Sequence, residues 1–156
     1  RKLRLTEEGA LYALGFGLEG FERWVFDALE ILAVTEDGVD EVGLFAPTHV
    51  IDVSADERKE MVWTPEDFGL KTAPESKRED RLVADAAESA ACIRQVLAGE
   101  LSPARDVVLL NAAAMLWAAG HAADLPEARV LAEQAIDSKK ATQTLESLVE
   151  FSQQGK

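Results

Sequence analysis

The sequence predicts a mixed α/β domain, a partial sheet followed by a C-terminal cluster of helices. Three observations lead there. Short apolar or alternating runs crowd residues 29–63, long segments with apolar residues at helical spacing fill the chain after residue 82, and the polar linker K-T-A-P-E-S-K-R-E-D-R at 71–81 separates them. Strands first and helices afterwards is the element order of a mixed domain. The strand-rich piece is small for the helices it serves, as the end of a larger sheet would be.

Residues 1–28 form the least regular segment. Thr6-Glu7-Glu8 could open a helix, but Gly9, Gly15, Gly17 and Gly20 each weaken the pattern. Phe21, Trp24, Val25 and Leu29 then recur at helical spacing, opposite Glu22, Arg23 and Asp27. This aromatic surface reads first as core, with Phe21, Trp24 and Val25 as candidates for a docking patch in the alternative. From Leu29 the run L-E-I-L-A-V predicts a buried strand, V-G-L-F (42–45) and T-H-V-I-D-V (48–53) two more, S-A-D-E a turn, and K-E-M-V-W (59–63) a returning strand. In T-P-E-D-F-G-L, Thr64 can cap a helical turn that Pro65 starts, Asp67 completes the cap, and Gly69 ends the turn.

Four helices are expected after the linker. The first, over 82–98, carries Val83, Ala86, Ala87, Ala90, Ile93 and Leu97 on one stripe and stops at Gly99. Ser102-Pro103 opens the second and Gly120 closes it; apolar all round, it belongs in the middle of the fold. D-L-P-E (124–127) caps a third with Leu125, Ala128, Leu131, Ala135 and Ile136, and a fourth has Leu145, Leu148, Val149 and Ser152 along its inner edge. Trp63 and Trp117 read as core aromatics, Arg105 and Asp106 as first-turn residues, and Asn111 as a bond to a buried backbone group.

Composition narrows the function classes. Hydrophobic residues at 47% and charged residues at 29% describe a globular chain long enough for its own core. A net charge of -13 opposes nucleic acid, and Arg1, Lys2 and Arg4 form the densest basic patch, best explained as a solvated end. Cys92, the sole cysteine, excludes an internal disulfide and is expected in the core; His49 and His121 stand in no zinc-ligand spacing. The uncharged run between Asp106 and Asp124 just reaches spanning length, but Asn111, His121 and Gly120 favour a buried soluble helix. No transmembrane helix is expected, while peripheral association with a membrane complex stays open. The chain begins at Arg1, which suggests processing or truncation.

The loop T-E-D-G-V-D-E-V-G at 35–43 gathers four carboxylates around one glycine after a predicted strand. With G-E-L-S-P-A-R-D-V-V-L-L-N-A-A-A-M-L-W-A-A-G (99–120), T-P-E-D-F-G-L, A-I-D-S-K-K-A-T-Q-T-L-E-S-L-V-E-F-S and D-G-V-D-E (37–41), in that family's order, the chain resembles the anthranilate phosphoribosyltransferases over roughly residues 29–152. The resemblance implies the C-terminal part of a phosphoribosyltransferase/nucleoside phosphorylase-like α/β domain. It also implies phosphoribosyl transfer from its pyrophosphate donor to anthranilate, in tryptophan synthesis. The acidic pair of the family motif, which binds magnesium at the donor pyrophosphate, falls on Asp40 and Glu41. Magnesium takes few carboxylates and several phosphate oxygens, so the pairing is chemically sensible.

The family's G-T-G-G-D loop, its K-H-G-N-R segment and its basic anthranilate-binding residues have no counterpart in this sequence. Within the matched region Val34-Thr35 stands where the family usually has His-Gly, and Gly43 where a serine is common. The family's G-G-x-x-x-E-N-A appears as Val83-Ala84-Asp85-Ala86-Ala87-Glu88-Ser89-Ala90. The leading expectation is therefore a truncated, non-catalytic relative without catalytic residues of its own, a pseudoenzyme. It would serve as an accessory subunit docked to other protein subunits through residues 1–28, with 29–156 as the family-like domain. Asp37, Asp40 and Glu41 would then be solvated loop acids, and no cofactor is expected for the isolated chain. The alternative is the C-terminal half of an active transferase, with Asp40 and Glu41 as magnesium ligands. The resemblance allows a cytoplasmic or organelle-stroma location, the plastid included.

Overall fold

The computed structural model describes residues 31–36, 39, 41–53, 58–78 and 82–154. Strands β1 (Ile31–Thr35), β2 (Thr48–Val53) and β3 (Arg58–Trp63) form one antiparallel sheet in the order β1-β2-β3, with Thr35 opposite Thr48 and Thr48 opposite Trp63. The strands expected at 29–34, 48–53 and 59–63 are thus present. The expected strand at 42–45 is not: both backbone groups of Val42 and the Gly43 N–H go to side chains, as set out below, and the Leu44 carbonyl accepts from the Ala73 N–H at 3.0 Å instead of a ladder partner. Arg58, Lys59 and Glu60 line the outer part of β3, a charged edge of the kind that discourages further strand pairing.

The T-P-E-D-F-G-L motif folds much as its residues dictate. A 3-10 turn spans Pro65–Phe68, the Asp67 carboxylate accepts from the Thr64 N–H at 2.7 Å, and Gly69 ends the turn at φ 73°. Thr64 and Asp67 form the reciprocal box that the motif predicts, and the Thr64 hydroxyl also donates to the Asp67 carboxylate at 3.0 Å. Phe68, fully buried, meets Trp63 edge-to-face at 5.6 Å, and Trp63 meets Trp117 likewise at 5.4 Å. Such pairs add to the burial of their apolar area. The three rings join sheet, turn and helices.

Four helices follow: α1 (Ala86–Ala98), α2 (Pro103–Ala118), α3 (Leu125–Asp137) and α4 (Lys140–Gln153). Asp85, Ser102 and Asp124 cap the first three through their side-chain oxygens. The Asp85 cap starts α1 at Ala86, four residues later than the apolar pattern suggests. α2 lies between two groups of buried residues. Leu110, Ala113 and Ala114 meet Val42, Leu44, Val50, Trp63, Phe68 and Ala128, while Leu109 meets Val96, Ala132 and Ile136.

Three expectations about the helices need correction. α2 is central but not enclosed, because Met115 is 74% exposed and Val108 is exposed too. On α1 only Val96 is buried; Val83 and Ile93 face out and Cys92 is half-buried. The reason is that α1 is held at its C-terminal end: Val96 packs against α2 and α3, the Lys139 ammonium donates to the Ala98 carbonyl at 2.8 Å, and the Thr142 hydroxyl to Leu97 at 3.3 Å. Finally, α4 buries none of its residues, so Leu148 and Val149 do not form an inner edge, and Phe151 is 74% exposed. Among the described residues no helix is long and apolar enough to cross a membrane.

Candidate functional site

The acidic loop leaves the C-terminal end of β1 and returns to β2, and side chains from three directions fix its base. Thr35, 3% exposed, accepts from the Val39 N–H at 2.8 Å and donates to the Val39 carbonyl at 3.1 Å, beside a backbone bond from its own N–H to the same carbonyl at 2.9 Å. Thr48 on β2, fully buried, accepts from the Gly43 N–H at 3.0 Å. The third contact crosses to α2. Asn111 Oδ1 accepts from the Val42 N–H at 2.9 Å, and its Nδ2 donates to the Val42 carbonyl at 3.1 Å and to Val107 at 3.0 Å. The expectation for Asn111 holds, and its partner proves to be the residue next to Glu41.

Glu41 is half-buried, between the points where Thr35 grips Val39 and Asn111 grips Val42. Asp37 and Asp40 lie outside the described residues, as do Phe21, Trp24 and Val25, the candidate docking residues. Among the described residues no three His, Cys, Asp or Glu side chains come together as a metal cage. Of the loop acids, Glu36 and Glu41 are among those residues. A magnesium ion that takes one or two carboxylates and fills its octahedron with phosphate oxygens and water does fit that donor set. His49 lies 3.7 Å from Glu36 on the exposed side of the sheet, where an ion pair contributes little.

Other polar groups have structural work. Arg105, a first-turn residue as expected, is nonetheless only 3% exposed and reaches from α2 to Glu133 at 3.2 Å and Asp137 at 3.0 Å on α3, where Arg129 also binds Glu133 at 2.8 Å. Partial burial holds the Asp106 carboxyl above the usual range, with Arg105 pulling the other way. Glu66 is held below it by the N–H of Thr72, 2.8 Å from its carboxylate. A shallow, open groove of about 520 Å³ runs past Leu131, Gln134, Ala135, Asp137, Ser138 and Lys140, remote in sequence from the acidic loop.

Sequence reasoning missed the parts of Thr35 and Thr48. In the sequence Thr35 and Gly43 stand out only as departures from a family pattern, and the structure brings the two together: a Cβ on Gly43 would lie 2.5 Å from the Thr35 methyl. Threonines on both sides of a short loop between strands were the available signal.

A small antiparallel sheet, a helical layer and a tethered acidic loop describe an α/β phosphoribosyltransferase-like domain, and a family profile agrees. The profile described as "Glycosyl transferase family, a/b domain" matches residues 25–142, more than half of the chain, and the chain belongs to that family. Its similarity narrows to anthranilate phosphoribosyltransferases. The one from Thioalkalivibrio sulfidiphilus is 44% identical over 116 residues, 74% of this chain and 33% of its own length. That of Syntrophotalea carbinolica is 40% identical over 117 residues, 75% and 32%. Among solved structures, the Thermus thermophilus anthranilate phosphoribosyltransferase superposes with a TM-score of 0.67 at 34% identity, covering 78% of this chain and 35% of that one. The Saccharomyces cerevisiae enzyme, in complex with PRPP and Mg, gives 0.63 at 25%, covering 74% and 33%. The chain thus spans about one third of the length of the curated relatives it matches.

Proposed function

We propose that this chain is the acidic-loop part of an anthranilate phosphoribosyltransferase, working with segments that its relatives carry in their other two thirds. The observation that supports this reading is the tether from Asn111 to both backbone groups of Val42. Three side chains fix the backbone on either side of the Glu41 carboxylate, as the position of a metal ligand requires. Asp40 and Glu41 would hold magnesium, as the yeast relative's complex with PRPP and Mg suggests by similarity. The ion would neutralise the diphosphate as it leaves the anomeric carbon. Within this chain Glu41 supplies a hard oxygen ligand, Asn111 and Thr48 hold the loop, and α2 makes the platform rigid. The phosphate cradle and the anthranilate site would come from the other two thirds. The charged edge of β3 leaves β1 as the side on which the parent sheet would continue.

A non-catalytic subunit of a larger protein assembly is the second reading. It is favoured by the exposed Ile93, Leu148, Val149 and Phe151 on α1 and α4, residues that a protein partner would cover. A chimera separates the two: residues 31–142 of this chain in place of the matching segment of the Thermus thermophilus enzyme. The transferase reading expects a folded chimera that transfers phosphoribose to anthranilate and loses that activity about 100-fold or more on Glu41→Gln, the scale of a lost transition-state contact. A folded chimera without transfer supports the subunit reading and overturns the first.

A further inference from the structure

Gly43 poses a small puzzle. Its φ lies outside the left-handed region, which among the described glycines is reserved for Gly69, Gly99 and Gly120, so the backbone there makes no demand for glycine. The demand comes from a neighbour. A Cβ at position 43 would sit 2.5 Å from Thr35 Cγ2, closer than real Cβ atoms approach, and 3.0 Å from the Ala46 carbonyl oxygen. Thr35 cannot easily turn its methyl away, because its hydroxyl is engaged with both the N–H and the carbonyl of Val39, and a β-branched side chain has few χ1 positions to choose from.

We propose that Thr35 and Gly43 are a coupled pair that positions Glu41: the Thr35 hydroxyl grips the loop at Val39, two residues before the acid, and its methyl occupies the side-chain space of Gly43, two residues after it. One threonine at the end of β1 thereby governs both arms of the turn that presents the carboxylate. Asn111 and Thr48 then fasten the outgoing arm at Val42 and Gly43. Thr35 is a positioning residue, acting on the ligand through the loop and not on the metal itself. The inference rests on the reading of Glu41 as a cation ligand for its consequence, and on geometry alone for the pair.

Two measurements on the full chain keep these apart. The first is a urea-denaturation cycle with Thr35→Ser, Gly43→Ala and the double variant. Gly43→Ala is expected to lower the midpoint, and Thr35→Ser, which removes the methyl and keeps the hydroxyl, to recover more than half of that loss. Losses that simply add overturn the pair. The second is a titration with Mn²⁺ alone, a hard octahedral stand-in for Mg²⁺, followed by the electron paramagnetic resonance of the free ion. Thr35→Val, which keeps the shape and removes the hydroxyl, is expected to weaken binding about tenfold, as loss of a residue that orients a ligand does, while Thr35→Ser binds as the unaltered chain. Equal binding by Thr35→Val and Thr35→Ser overturns the positioning role. No Mn²⁺ binding by the unaltered chain, either alone or with inorganic diphosphate added to supply the phosphate oxygens, and with the coupling intact, overturns the reading of Glu41 and leaves the pair standing.

Discussion

Asn111 offers the sharpest test of how the loop is held. Val42 is only 3% exposed, yet its N–H and its carbonyl both point to the Asn111 amide, at 2.9 and 3.1 Å. Asn111→Ala removes both partners at once. Each orphaned buried backbone group costs about 1–3 kcal/mol, and the two share one peptide neighbourhood, so the expected loss is about 2–4 kcal/mol. The third bond, to Val107, adds little, because that carbonyl sits in α2 and keeps its helical partner. Urea denaturation should show the midpoint falling by about 1–2 M, and thermal melting should fall by roughly 5–15 °C. Asn111→Asp, nearly the same size, is expected to be no better: it keeps the acceptor for the Val42 N–H but turns a second oxygen toward the Val42 carbonyl. A midpoint shift below about 0.3 M for Asn111→Ala would refute the reasoning, since an uncompensated pair of buried groups costs more than that.

The ion network between α2 and α3 makes a second prediction. Arg105→Ala should cost about 2 kcal/mol in the same denaturation assay, chiefly through the lost packing of a buried side chain, with Asp137 losing its partner and Glu133 keeping Arg129, and a loss below about 0.5 kcal/mol would contradict it. Asp106 and Glu66 predict opposite pH trends. Because burial raises the Asp106 carboxyl, its contribution is present below the ordinary carboxylate range and is lost as pH rises through the raised value. Asp106→Asn should therefore melt higher than the unaltered chain at neutral pH, with the gap closing toward about pH 4. The Thr72 N–H depresses Glu66, so its contribution is present at neutral pH and fades as pH falls through the depressed value; Glu66→Gln should lose stability at neutral pH only, which melting curves across pH would reveal. Gly99 stands at φ 92°, so Gly99→Ala should destabilise by about 1 kcal/mol, checked by the shift in urea midpoint.

Local signals carried far into the fold. Ser102 and Asp124 mark helix starts because a short side-chain oxygen ahead of an apolar run satisfies the orphan N–H groups there, and that chemistry is complete within four residues; Asp85 works by the same chemistry, but the apolar residues ahead of it masked the start. Thr64, Pro65 and Gly69 are legible for the same reason. What failed is what depends on distant partners. Val42–Phe45 reads as a strand by composition, but Asn111, 69 residues away, competes for its backbone. Ile93, Leu148 and Val149 sit at the right spacing for a buried stripe, yet spacing alone does not say whether a partner covers the face. Arg105 looks like a surface cation until Glu133 and Asp137, one turn apart on another helix, are brought to it. The candidate site divides in the same way. Asn111 was legible by its unlikely place in an apolar helix, while Glu41 is a candidate through its motif. The Thr35–Gly43 contact was not legible, because both residues register in the sequence only as isolated substitutions.

The most direct test of the central claim is fractionation of the protein from its own source under gentle conditions, with native size, intact mass and phosphoribosyl transfer to anthranilate measured on the same fractions. The transferase reading predicts that this chain elutes together with the segments its relatives carry in their other two thirds, on the same polypeptide or beside it, and that the activity follows it. The opposite result is this chain in a large assembly that contains no such segments and shows no transfer. It would make the acidic loop a well-braced remnant in a subunit kept for its shape.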